Sequence, residues 1–175
     1  MTFHHALVTE WGSVTLEWND DGLLRSYLPG PCSPAGEPAD LPAWLQPVAA
    51  WLREFFAGRK PAEVDFRPVA CSPADWSVYQ HTMAIPAGKT RTYGEIAALC
   101  GKPGAAQWVG QVLGSNPWPP LVPCHRVIGA NGKMTGFSAP GGVDSKRRLL
   151  DMELGREQGE LFAQPPANGQ PTRRL

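Results

Sequence analysis

The chain has 175 residues, 42% of them hydrophobic and 18% charged, enough apolar material to bury a core in one domain or two small ones and too much for disorder throughout. No apolar run nears the roughly 20 residues that span a bilayer, and the start MTFHHALVTEWG lacks the basic and apolar regions of a secretory signal, so an intracellular, cytoplasmic location without membrane contact is expected. Sixteen Lys/Arg offset sixteen Asp/Glu, yet residues 1–71 carry five against nine and residues 72–157 nine against six, about −4 and +3, so any polyanion is expected to meet the C-terminal half.

Residues 6–28 alternate apolar and polar on both sides of the turn signal Asp20-Asp21-Gly22, which predicts antiparallel strands. Pro29 to Pro42, rich in Pro, Gly and Ala, is expected to be a loop. From Ala43 to Gly58 the residues Trp44, Leu45, Val48, Trp51, Leu52, Phe55 and Phe56 recur at helical spacing, and such aromatics are expected in the core rather than on a binding surface. Residues 1–70 therefore read as a small α/β unit, closed by a break at Pro68 to Pro73.

Beyond that break, residues 71–157 read as a mainly α unit of short helices separated by Gly and Pro. Helices are expected over Trp76 to Ala84, Thr92 to Cys100 and Ala105 to Gly114, with turns at Ile85 to Gly88 and Gly101 to Gly104, and a last helix over Lys146 to Gly155. Two short helices joined by a Gly-containing turn describe a helix-turn-helix, although a generic helical hairpin leaves the same pattern. The tail, residues 158–175, is rich in Pro, Gln and Gly and is expected to be mobile.

Chemistry concentrates in Leu121-Val122-Pro123-Cys124-His125-Arg126-Val127-Ile128-Gly129, where a thiol, an imidazole and a guanidinium stand side by side between apolar flanks. Apolar flanks imply burial, which makes a thiol inert. A reactive Cys124 therefore needs a base or cation in reach, and His125 and Arg126 are the obvious suppliers; a structural cysteine is the plain alternative. Cys32, Cys71, Cys100 and Cys124 include no C-x-x-C pair, so reduced thiols are expected. The four histidines offer no zinc spacing, and neither metal nor cofactor is expected.

The run Val122 to Ile128, with Gly136-Phe137-Ser138 and Leu149 to Glu153 after it and Tyr93-Gly94-Glu95-Ile96-Ala97 and Gly114-Ser115-Asn116-Pro117 before it, resembles the O6-alkylguanine-DNA alkyltransferase family from about Ile85 to Gly155. The N-terminal unit looks more loosely like that family's α/β domain of RNase H-like fold, and the C-terminal unit like its winged helix-turn-helix. The resemblance implies DNA repair by a stoichiometric, single-turnover transfer. An alkyl group passes from O6 of a flipped-out guanine, with O4 of thymine as a further target, to Cys124. It makes His125 the base that draws the thiol proton through a water, Glu153 the carboxylate orienting that histidine, and Asn116 the hinge residue. Tyr93 becomes the residue that rotates the target phosphate and helps protonate the departing guanine. Leu113, Val127, Phe137 and Ser138 are implied for the substrate pocket. Thr92, Ala105, Ala106, Gln107, Trp108 and Arg126 are implied for DNA contact. A partner of alkylated double-stranded DNA and a monomeric chain without an obligate protein partner follow from the same resemblance.

The chain departs from the family pattern where an arginine usually enters the duplex: here the helix reads Ala106-Gln107-Trp108-Val109-Gly110. Gln107 lacks the charge and planar cation of arginine, so weaker duplex binding is expected. Trp108 could compensate as an aromatic wedge or pack against the neighbouring unit. Ala74-Asp75 replaces a Phe-Gln pair, and Phe137 replaces the pocket tyrosine. Three other readings stay open on the sequence: a lesion binder that transfers nothing, a thiol-switched transcription regulator whose Gln107 reads adenine, and an alkyltransferase for a different alkylated molecule.

Overall fold

The structure is a computed structural model that describes residues 1–155, so the expected tail and the last residues of the C-terminal segment lie outside the described residues. Among these, no helix is long and apolar enough to cross a membrane. The fold is mixed α/β.

Strands β1 (Phe3–Thr9), β2 (Gly12–Trp18), β3 (Leu23–Tyr27) and β4 (Glu37–Pro38) form one sheet in the order β3-β2-β1-β4, antiparallel except for the short β1–β4 pair. The Asp-Asp-Gly signal joins β2 to β3, and a second reversal at Glu10-Trp11 splits the preceding stretch into β1 and β2. Asn19 sets the first turn, its Oδ1 accepting from the Asp21 and Gly22 amides at 2.9 and 3.1 Å. Gly22 is required there, because its φ is 153° and a Cβ would collide with the Arg67 carbonyl. That carbonyl accepts from Leu23 N at 2.9 Å. The expected loop over Pro29 to Pro42 contributes only the two-residue β4.

Helix α1 (Gln46–Phe56), entered through a 3₁₀ turn at Ala43–Leu45, buries Val48, Ala49, Leu52, Phe55 and Phe56, the stripe expected from the sequence. Helix α2 (Pro73–Met83) starts at Ser72, whose hydroxyl accepts from Asp75 N at 3.1 Å. Then follow β5 (Arg91–Thr92), α3 (Tyr93–Leu99), α4 (Ala106–Gly114), β6 (Val127–Ile128) and α5 (Gly142–Glu153), with β5 and β6 paired in parallel. The last helix starts four residues earlier than expected, because Gly141 at φ 83° lets the chain turn into it.

Trp118 ties the sheet to the helices. It is 1% exposed, its indole N–H donates to Leu23 O at 2.9 Å, and the rings of Phe66, Trp76 and Tyr79 surround it at 5.5 to 6.4 Å. Beside it Ser26 holds the same loop twice, its amide donating to Pro117 O at 2.8 Å and its hydroxyl to Pro119 O at 2.7 Å. The loop entering Cys124 is thus sandwiched between the sheet edge and α2, and the buried residues of sheet and helices form one continuous cluster.

Candidate active site

Pro123 breaks the chain ahead of a single 3₁₀ turn, Cys124–Arg126, and this turn presents three consecutive side chains in three directions. Cys124 is partly buried and lines a cavity of about 620 Å³. His125 points into the protein at 1% exposure, with the Phe55 ring of α1 edge-on at 6.1 Å.

The turn is anchored on Glu153 near the end of α5. His125 Nε2 lies 2.7 Å from Glu153 Oε1. Arg126 donates to the same carboxylate through Nε at 3.0 and 3.1 Å and through Nη2 at 2.8 Å, and the Gly88 amide donates to Oε2 at 2.8 Å. Burial opposes the ionisation of Glu153, but the bonds from His125, Arg126 and Gly88 overcome it and pull the carboxyl down to about 2. Burial pushes the His125 pKa down, against the pull of Glu153, so the ring is neutral at pH 7. With Nε2–H donated to the carboxylate, Nδ1 keeps its lone pair and is the basic nitrogen. Arg126, expected at the DNA surface and as an activator of the thiol, is instead spent on Glu153 and on Ile85 O at 2.5 Å. A buried carboxylate without that guanidinium would be an uncompensated charge.

The cation near Cys124 is Lys146, which sequence reasoning missed. Its side chain is fully buried, and its ammonium donates to Thr135 O at 3.0 Å and to Tyr93 Oη at 3.4 Å and lies 5.5 Å from the Tyr93 ring. Among the described residues it has no carboxylate partner. Burial pushes the Cys124 thiol up, while an Asn116 side-chain bond, the Lys146 charge and the Cys124 and His125 amides work against that rise. The resting thiol is therefore protonated, with stabilising groups already in place for its anion. A signal was available: Lys146, Leu149, Leu150 and Glu153 are spaced i, i+3, i+4, i+7, which puts two charged residues on the buried stripe of α5.

Asn116 bridges two segments, its Nδ2 donating to Val122 O at 2.9 Å and its Oδ1 accepting from Trp118 N at 3.0 Å. Leu113, Phe137 and Ser138 line the cavity with Cys124. The Ser138 hydroxyl donates to Gly114 O at 2.8 Å. Val127, expected on the pocket wall, is fully buried in the core on β6 and does not line the cavity. The opposite wall comes from the N-terminal half, from Tyr27, Leu28, Pro31 and Cys32, which the sequence had no means of bringing there.

The residues implied for DNA contact separate. Thr92, Tyr93, Ala106 and Gln107 share a second hollow between α3 and α4. Gln107 is exposed, whereas the Thr92 hydroxyl is committed to a capping box with Glu95. Ala105 closes the turn into α4, its amide donating to Lys102 O at 3.1 Å. Trp108 is half-buried against the core, with the Lys102 ammonium 4.2 Å from its ring centroid.

Residues 73–155 match the family described as 6-O-methylguanine DNA methyltransferase, DNA binding domain. The methylated-DNA--protein-cysteine methyltransferase of Mycobacterium tuberculosis is 44% identical over 113 residues, 63% of this chain and 66% of that protein. That of Shigella flexneri is 46% identical over 104 residues, 58% and 59%. The matched stretch thus spans 59 to 66% of these relatives, less than two thirds of either. A crystal structure of Mycobacterium tuberculosis OGT in complex with DNA shares the fold over 88% of this chain and 94% of its own, at 35% identity and a TM-score of 0.75. An archaeal O6-methylguanine-DNA methyltransferase from Pyrococcus kodakaraensis, 18% identical with a TM-score of 0.50 over 87% and 99%, is alike in fold alone.

Proposed function

Since the chain belongs to the 6-O-methylguanine DNA methyltransferase family, we propose that it repairs DNA by moving an alkyl group from O6 of guanine to Cys124, once per protein molecule. The observation that carries this reading is a cavity-lining thiol, Cys124, followed in the same 3₁₀ turn by His125, a buried neutral imidazole locked to the ionised carboxylate of Glu153. It has the nucleophile, base and orienter order of an activated thiol.

In this reading the lesion is flipped out of the duplex, at a cost of a few kcal/mol that is least for a badly paired base, and enters the cavity between Phe137 and Leu113. His125 Nδ1 takes the thiol proton through a water, and the imidazolium that forms is stabilised by Glu153. The thiolate sulfur attacks the alkyl carbon, the S–C bond forms and the C–O6 bond breaks. The electron pair leaves on guanine, which takes a proton from the Tyr93 hydroxyl, and the ammonium of Lys146 beside Tyr93 Oη offsets the phenolate charge. The thioether has no easy reverse path, so one chain repairs one lesion.

The finer architecture fits the same reading. Helices α3 and α4 serve as a helix-turn-helix with β5 and β6 at its wing, the sheet with α1 is an RNase H-like unit, and the division between units falls near residue 70. The partner is double-stranded DNA carrying alkylated guanine, bound by a monomer inside the cell. Intact-protein mass spectrometry after incubation with an O6-methylguanine duplex, followed by peptide mapping, tests the proposal. A stoichiometric gain of one methyl group on Cys124 is expected, and Cys124→Ala should abolish it while leaving DNA binding. Duplex binding without any gain would instead make the protein a lesion binder.

A further inference from the structure

Gln107 leaves the exposed face of α4 without a cation of its own, and the surrounding sequence is short of charge of either sign. Residues 96–143 contain no Asp or Glu, and their only cations are Lys102, Arg126 and Lys133. Arg126 is spent on Glu153 and Ile85 O. Lys102 lies in the turn between α3 and α4, is exposed, and joins no ion pair among the described residues. Its carbonyl accepts from Ala105 N and so fixes its backbone against the start of α4. Its ammonium rests 4.2 Å from the ring centroid of Trp108, the neighbour of Gln107.

A lysine tail in solvent loses much rotamer freedom when it takes a partner. Parking the ammonium on an aromatic face removes part of that loss beforehand, while an exposed cation–π contact is weak enough to be surrendered to a stronger anion. With no carboxylate in the whole stretch to compete, the anion this arrangement suits is a phosphate of the DNA backbone. We infer that Lys102, held over the Trp108 ring, supplies beside the α4 face the charged backbone-phosphate contact that the neutral amide of Gln107 does not provide. Trp108 is then a support for a cation, and not a wedge between bases. The inference rests on the DNA-repair reading above.

Fluorescence anisotropy with an undamaged labelled duplex, across roughly 50 to 200 mM salt, tests it without interference from chemistry. Losing one phosphate contact lowers the slope of log K against log salt by about 0.9. Lys102→Met should show that loss with a several-fold drop in affinity at the low-salt end, and Lys102→Arg should keep the slope. In the Lys102→Met background, Trp108→Leu should cost nothing further. An unchanged slope in Lys102→Met overturns the inference while the wild-type salt dependence keeps the repair reading, and a full extra loss from Trp108→Leu overturns the supporting role. A wild-type chain that binds no duplex removes both. Circular dichroism and thermal melting confirm that the variants are folded.

Discussion

Lys146 and Glu153 sit on one stripe of α5, and in the proposed mechanism they serve its two ends. Glu153 is bonded to His125 Nε2, whereas Lys146, close to the thiol, donates to Tyr93 Oη and Thr135 O, both neutral acceptors. A buried ammonium without a carboxylate is costly, and an anionic Cys124 would be its natural counter-charge. Lys146→Met should therefore raise the thiol pKa, slow transfer at neutral pH by roughly tenfold, and make the rate climb more steeply with pH. Lys146→Arg should restore part of the rate. Stopped-time alkylation assays across pH check this, and a parallel, merely lowered profile in Lys146→Met would reduce the residue to a packing role. For the wild type, His125 titrates below its ordinary value because it is buried, so the transfer rate should hold down to about pH 6.5 and fall only below it.

At the scale of elements, the loop from Ser115 to Pro123 is held from both sides before it delivers Cys124. Trp118 fills an aromatic cage built from α2 and the segment before it, and its N–H reaches β3. Ser26 adds two bonds from the sheet edge. Trp118→Ala leaves a large cavity and removes one of the two bonds to the Leu23 carbonyl, which still accepts from Val69 N at 3.2 Å, and should cost about 3–5 kcal/mol, a fall in Tm on the order of 10 °C. Calorimetry reads this directly, and a loss below about 1 kcal/mol would mean the loop is positioned by other contacts. The cage needs Phe66 and Trp76, which no local sequence pattern connects to Trp118.

Over the whole molecule, acid should act in two stages, both through buried groups at the site. His125 is kept neutral in the fold, so the stability it contributes is complete above its unfolded pKa near 6.5 and is lost as pH falls below that value. Glu153 is held at about 2 in the fold, so its contribution is complete above the unfolded value near 4.3 and drains away as pH falls toward 2. Tm measured from pH 7 to 2.5 should decline in both ranges, and Glu153→Gln should flatten the lower one relative to wild type; an equal decline there would place the acid sensitivity elsewhere. Much of this protein was legible in the chain itself. The alternation around Asp20-Asp21-Gly22, the apolar stripe of α1 and the segment Pro123 to Val127 are local patterns, and local patterns are fixed by backbone geometry and side-chain spacing. Tertiary structure alone decided that Arg126 turns back to Glu153, that Lys146 comes close to the thiol, that Val127 goes to the core and not to the cavity, and that Tyr27, Leu28, Pro31 and Cys32 help wall it. Each depends on the direction in which a side chain leaves a short turn and on which distant segment meets it, and neither is written in the spacing of residues along the chain.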